Sequence, residues 1–174
     1  APLVARAARP GQFVILRVHG RGERIPVTIT DSDPEAGIVT VVIQEVGATS
    51  KMANELEAGD RFHDLAGPLG EPAPLREEGH VVCVGGGFGA AAILSILKGL
   101  KPKATRTSAV VGARTAELVI LQDRLGDAAD ALYVCTDDGS AGYRGLVTAK
   151  LEELIASGEP IDEIIAIGPM VMMR

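Results

Sequence analysis

Two rhythms of apolar and polar residues divide the chain. In the first part the runs are short and alternating: GQFVILRV (11–18), RIPVTIT (24–30), IVTVVIQEV (38–46) and DRFHDLAG (60–67). Turn-forming stretches, HGRGE and DSDPEAG, separate them, and this spacing predicts a small antiparallel barrel. One helix interrupts the strands over SKMANELEAGD, with Thr49 or Ser50 capping its start and Gly59 ending it. From residue 80 the rhythm lengthens. Strand-like runs VVCVG (81–85), SAVVGA (108–113), ALYVCT (131–136) and EIIAIG (163–168) alternate with helix-like AAAILSILKGL, TAELVILQDRL and VTAKLEELIASG. In the last helix Leu151, Leu154 and Ile155 share one face. Such βα alternation predicts a parallel sheet with helical crossovers in a Rossmann-like layout. The stretch GPLGEPAPLREEG, rich in Pro, Gly and charge, reads as the linker, giving domains at 1–76 and 77–174.

Composition narrows the function classes. Of 174 residues 47% are hydrophobic, which favours packed cores over disorder. Aromatics are 3% with no Trp, and the net charge is −6. Base stacking wants aromatic side chains and phosphate binding wants clustered cations, so neither nucleic acid nor an anionic membrane is expected as a partner. No apolar run approaches a membrane span and no secretory signal is visible, so cytoplasm is the expected compartment. Cys83 and Cys135 lie inside apolar strands and read as buried free thiols; two cysteines so placed cannot hold an iron–sulfur cluster, and no metal site is expected in the chain. His19, His63 and His80 read as solvated.

The candidate chemistry begins at VVCVGGGFGAAAIL. Gly85, Gly87 and Ala90 fit G-x-G-x-x-A directly after a strand and opening a helix. Glycines there admit a pyrophosphate to the backbone, and the helix N-terminus offers free N–H groups. A tight βα turn uses the same glycines for packing alone, and both readings stand at this point. A ribose-binding carboxylate at the end of the second strand is missing; Gly112-Ala113-Arg114-Thr115 stands there, and Arg114 is either an adenosine-phosphate contact or a surface arginine. In the first part, RIPVT sets Thr28 on the same face as Pro26 and Arg24, where a hydroxyl can bond a flavin ring edge. VIQEVGATSK then brings a strand to Gly47 and a hydroxyl-bearing helix start, a second anion site.

Taken in order, PGQFVILRV, ERIPVTI, IQEVGATSKMANELEAGD, AGPLGEP, VGGGFGAAAIL, VGARTAEL, TDDGSAGYRGLVT and IGPMVMM resemble the ferredoxin–NADP reductase-like flavoproteins. The likeness is strongest to the FAD subunits of two-subunit electron-transfer enzymes: the small subunit of NADH-dependent reduced ferredoxin:NADP oxidoreductase, the sulfide dehydrogenase subunit and the dihydroorotate dehydrogenase electron transfer subunit. The resemblance implies a Greek-key, FAD-binding antiparallel β-barrel followed by an NAD(P)-binding Rossmann-like α/β parallel sheet. It assigns Arg24, Ile25, Pro26, Val27, Thr28, Val42, Ile43, Gln44, Gly47, Thr49 and Ser50 to FAD, with Thr28 tuning the flavin as the catalytic position. NAD(H) or NADP(H) falls to Gly85, Gly86, Gly87, Phe88, Gly89, Arg114, Asp138, Gly139, Ser140, Gly168, Pro169 and Met170.

The implied activity is hydride transfer between NAD(P)H and flavin, then single-electron transfer to an iron–sulfur cluster and a larger iron–sulfur or flavin partner subunit, with ferredoxin as a further candidate. The ferredoxin:NADP oxidoreductase branch fits best; a dihydroorotate dehydrogenase electron transfer subunit and a flavin relay without nicotinamide turnover are the alternatives. By the same resemblance, a first barrel strand is expected before Ala1 and a cysteine-rich tail carrying a [2Fe–2S] cluster beyond Arg174. The chain departs from the wider pattern in having Ile25 three residues before the hydroxyl, where arginine is usual. It also has Ala91-Ala92 where proline commonly follows alanine, and Ile167 where many members have cysteine.

Overall fold

Alternation in the first part is realised as four antiparallel strands. A computed structural model describes residues 1–173, leaving aside the side chains at 104 and 105. Two units emerge, Ala1–Ala73 and Pro74–Arg174.

In the first unit the strands are β1 (Phe13–Arg17), β2 (Ile25–Asp33), β3 (Ile38–Val41) and β4 (Asp64–Leu69), in the order β3-β2-β1-β4. The fourth strand returns beside the first, which is Greek-key order. Between Ile29 and Asp31 the register against β3 slips, so Thr30 is an extra residue in a bulge. The sheet is open among the described residues, with β3 and β4 at its edges, rather than a closed barrel. Val14, Leu16 and Ile29 form the core, with Ile25, Val27, Val39, Val41 and Ile43 packed around them.

Three local expectations change in this unit. The opening residues form a helix, α1 (Pro2–Ala7), which the sequence pattern does not announce. Pro2 suits the first helical turn, and Val4 and Ala8 pack on the sheet core. The third strand stops at Val41, so Val42, Ile43 and Gln44 follow it in irregular backbone. The helix α2 (Ala48–Asn54) starts after Gly47 and ends well before Gly59, which sits in the next turn at φ +103°.

In the second unit β5 (Glu78–Gly86), β6 (Ala104–Ala113), β7 (Ala131–Thr136), β8 (Tyr143–Arg144) and β9 (Glu163–Ile167) make a parallel sheet ordered β8-β7-β6-β5-β9. Val81 to Val84 are at most 2% exposed because helices cover both faces, which is why this strand reads as an unbroken apolar run. On one face Val82, Val84, Val110 and Cys135 cluster with Val147, Leu151 and Leu154 of α5 (Val147–Ala156). On the other, α3 (Gly89–Leu100) buries Ile93, Leu94 and Leu97 completely. Ile155 is 53% exposed and does not join Leu151 and Leu154. The stretch 115–125 is not one helix: a 3₁₀ turn at Ala116–Leu118 precedes α4 (Gln122–Ala128), and Leu121 between them is left-handed at φ 60°. No helix among the described residues is long and apolar enough to cross a membrane.

Both cysteines are free and buried. Burial, with the nearby Glu163 carboxylate adding to it, pushes the Cys83 thiol up to about 12. The folded chain therefore holds this proton more tightly than the unfolded chain does. The resulting stability is complete below the ordinary thiol value of 9.0 and is lost as the pH climbs toward 12. A thiol reagent at neutral pH should modify Cys83 only at the rate of unfolding, measurable as a reaction that speeds up with added urea.

Candidate functional site

In a parallel sheet every strand ends on the same edge, so the loops after β5, β6, β7 and β9 gather there. The chain runs from β5 outward through β6 and β7, then crosses back to place β9 on the other side of β5. That reversal is a topological switch point, where open α/β sheets bind ligands. The glycine loop after β5 lies at the switch, beside Gly168 after β9.

The protein's own atoms explain most of the missing side chains. A Cβ at Gly85 would lie 2.9 Å from the Ala90 nitrogen, one at Gly86 2.6 Å from the Met172 sulfur, and one at Gly89 2.0 Å from the Ile167 oxygen. Gly87 differs: its φ is +54° and nothing lies within 4 Å of a Cβ there. The Gly87 N–H is used on Gly112 O at 2.8 Å, and those of Ala90 and Ala91 turn back on Gly87 and Phe88. Among the described residues Phe88 and Gly89 donate to no backbone carbonyl, so their N–H groups are available at the head of α3. Backbone packing thus accounts for Gly85 and Gly89, the obstacle at Gly86 is the flexible Met172 side chain, and Gly87 faces open space.

The loops after β6 and β7 are tied together. Ser140 Oγ accepts the Ala116 N–H at 2.8 Å and donates to Asp138 Oδ1 at 2.6 Å, and the Asp138 N–H reaches Arg114 O at 3.3 Å. Hydrogen bonds from the Ser140 hydroxyl and N–H hold the exposed Asp138 carboxyl below the usual carboxylate range. The side chain of Arg114 is exposed on this edge. Beyond β9, Gly168 nearly touches Gly86, Met172 lies across both, and Pro169 and Met170 are exposed.

In the first unit, Ile25 and Val27 face the core, leaving Pro26 and Thr28 on the opposite face of β2. Thr28 is half-buried, and its hydroxyl makes no hydrogen bond among the described residues. Arg24 is exposed and pairs with Asp64 at 3.7 Å. Ser50 Oγ accepts the N–H groups of Val46 and Gly47, capping α2 from inside its first turn. Thr49 donates to the Glu23 carboxylate at 3.2 Å, so an anion already stands beside this helix start.

No family model matches the chain. It is 41% identical over 174 residues to the dihydroorotate dehydrogenase B (NAD(+)), electron transfer subunit homolog of Thermotoga maritima, covering 100% of this chain and 61% of that protein. Against the dihydroorotate dehydrogenase B (NAD(+)), electron transfer subunit of Geobacillus thermodenitrificans it is 30% identical over 178 residues, covering 99% and 67%. The chain belongs to the dihydroorotate dehydrogenase B electron transfer subunit family. A solved NADH-dependent reduced ferredoxin-NADP oxidoreductase matches at 41% identity and a TM-score of 0.91, over 99% of this chain and 62% of that one. The Amycolatopsis cytochrome P450 reductase, 24% identical with a TM-score of 0.77 over 95% and 54%, shares the ferredoxin reductase-like fold. The chain spans 60–62% of the length of the Thermotoga relative and three others.

Two features of this family member escape a reading of its motifs. Met172 closes over the paired glycines 86 and 168, and Tyr143 anchors a two-residue strand behind the Asp138 loop. Both lie inside segments that carry the resemblance, IGPMVMM and TDDGSAGYRGLVT, but no period or spacing singles either residue out within them.

Proposed function

We propose that the protein is an FAD-containing oxidoreductase subunit that passes electrons between NAD(P)H and an iron–sulfur centre of a larger partner subunit. The observation that carries this reading is the turn at the head of α3, where, among the described residues, Phe88 and Gly89 keep their N–H groups free beside the open Gly87, set at the switch point in a member of this family. Bound FAD would supply the exchange between two-electron and one-electron chemistry that no side chain offers.

The chain's own residues bind and orient. Thr28, with an uncommitted hydroxyl beside exposed Pro26, is the group that would hold a flavin ring edge, with Ile25 and Val27 stiffening the strand from the core side. Val42, Ile43, Gln44 and Gly47 lead into α2, where Thr49 is the candidate phosphate donor and would exchange its bond to the Glu23 carboxylate for one to a pyrophosphate. Arg24 reaches a phosphate only by leaving Asp64. In the second unit, Gly85 to Gly89 would take the nicotinamide nucleotide's phosphates. Arg114 and the Asp138–Ser140 turn lie beside them, with Gly168, Pro169 and Met170 across the switch. The relatives' names carry NAD(+), which favours NADH over NADPH.

The full-length protein should be yellow, absorbing at about 450 nm from the flavin itself, and anaerobic NADH should bleach that band stoichiometrically. NADPH in a parallel titration reads the preference directly. Colourless protein that takes up no added FAD would overturn the reading, whereas a yellow protein left unbleached by either nucleotide would leave only a flavin relay.

A further inference from the structure

A lysine in the first turn of a helix sits badly with the positive end of the helix dipole. Lys150 occupies that turn of α5, yet its side chain is only 14% exposed. Its ammonium lies 4.9 Å from the ring centroid of Tyr133 in β7 and 5.6 Å from that of Tyr143 in β8. Both distances fall within the reach of a cation attracted to a ring face. The chain has two tyrosines and no tryptophan, and both tyrosines meet at this one cation. Lys150 Nζ also donates to Glu153 Oε1 at 2.6 Å, which fixes the ammonium from the solvent side.

What the cation holds is the return leg of a loop. Strand β8 pairs with β7 at two positions, Cys135 with Tyr143 and Thr136 with Arg144, too few to sustain a strand alone. Its anchor is the Tyr143 ring, packed against the cluster of Val82, Val84 and Cys135. The loop it closes, 137–142, carries Asp138, Gly139 and Ser140. Thr136 Oγ1 donates to Ala141 O at 2.8 Å and accepts the Ala141 N–H at 3.0 Å. Gly142 is pressed so closely to β7 that a Cβ would lie 2.1 Å from Val134 O. With Ser140 bonded to Ala116, a shift of Tyr143 is transmitted to the loop after β6 as well.

We propose that Lys150 is a positioning residue for the nucleotide site: clamped between Tyr133 and Tyr143, it sets the 137–142 loop and through Ser140 the loop bearing Arg114. The inference rests on the reading of this strand edge as a pyridine-nucleotide site. Lys150 acts through Tyr143, so its charge governs nucleotide affinity rather than turnover.

The test uses full-length protein, as purified from its host, oxidising NADH with ferricyanide as acceptor. Lys150→Met keeps the aliphatic stem and removes the charge. Its KM for NADH should rise about fivefold to tenfold, with kcat within about twofold and the flavin spectrum unchanged. Lys150→Arg, which restores a cation over the rings, should bring KM back. An unchanged KM in Lys150→Met overturns the proposal, as does an equal loss in the arginine variant or a fall in kcat alone. If the unsubstituted protein neither binds nor oxidises NADH or NADPH, the nucleotide reading itself fails and takes the proposal with it.

Discussion

Replacing Gly89 by alanine should destabilise the protein by roughly 3 kcal/mol or more, among the larger costs a single methyl can impose. The added carbon would lie 2.0 Å from the Ile167 oxygen and 2.7 Å from its carbon, inside any real contact distance. Both obstructing atoms are backbone at the end of β9, so no side chain can swing away to relieve the clash. Either α3 withdraws from the sheet, uncovering Ile93, Leu94 and Leu97, or β9 parts from β5. Gly87→Ala is the control. There the methyl meets open space, and only the left-handed φ of +54° is strained, at about 1–2 kcal/mol. Urea midpoints of the two variants should rank Gly89→Ala well below Gly87→Ala. Equal midpoints would mean that the close crossing of α3 and β9 does not govern stability, and that the glycines are kept for a ligand alone.

The contrast shows what could be read in advance and what could not. The strand run VVCVG was legible because burial on both faces removes polar residues altogether, and α3 because its start is marked by glycines. In TAELVILQDRL the apolar residues are contiguous, so they set no period; the backbone turns left-handed at Leu121 where an unbroken helix was expected. The helix at Pro2–Ala7 is too short to announce itself and is held by what it packs on, Val4 and Ala8 against the first sheet. The order and register of the four strands set the Greek key, but the alternation cannot say whether a sheet closes. At the switch-point edge the glycines and the acidic turn stand out as motifs. Lys150 did not, because one lysine in a charged helix looks like any solvated residue until its two tyrosine neighbours are seen.

His80 is the clearest case of a role hidden from periodicity, and it should carry the second large effect. Read as solvated, it is 7% exposed at the start of β5, on the sheet edge opposite the glycine loop. Its Nδ1 lies 3.0 Å from Pro160 O, and a carbonyl can only accept, so Nδ1 carries the proton. Nε2 then accepts the hydroxyl of Ser108, itself 1% exposed, at 2.9 Å. The Asp162 carboxylate accepts the His80 N–H at 2.8 Å, tying the same point to the start of β9. His80→Leu keeps most of the volume but strands a buried hydroxyl and a carbonyl, at a cost of about 2–4 kcal/mol. Adding Ser108→Ala removes one orphan and should return about 1 kcal/mol or more, because replacing both partners by apolar groups costs less than replacing one. Since these residues lie at the far end of the strands from Gly87 and Asp138, the KM for NADH should not move in either variant. A double variant less stable than His80→Leu would mean that the Ser108 hydroxyl finds another partner, and that the ring stabilises this edge by packing instead of by its two hydrogen bonds.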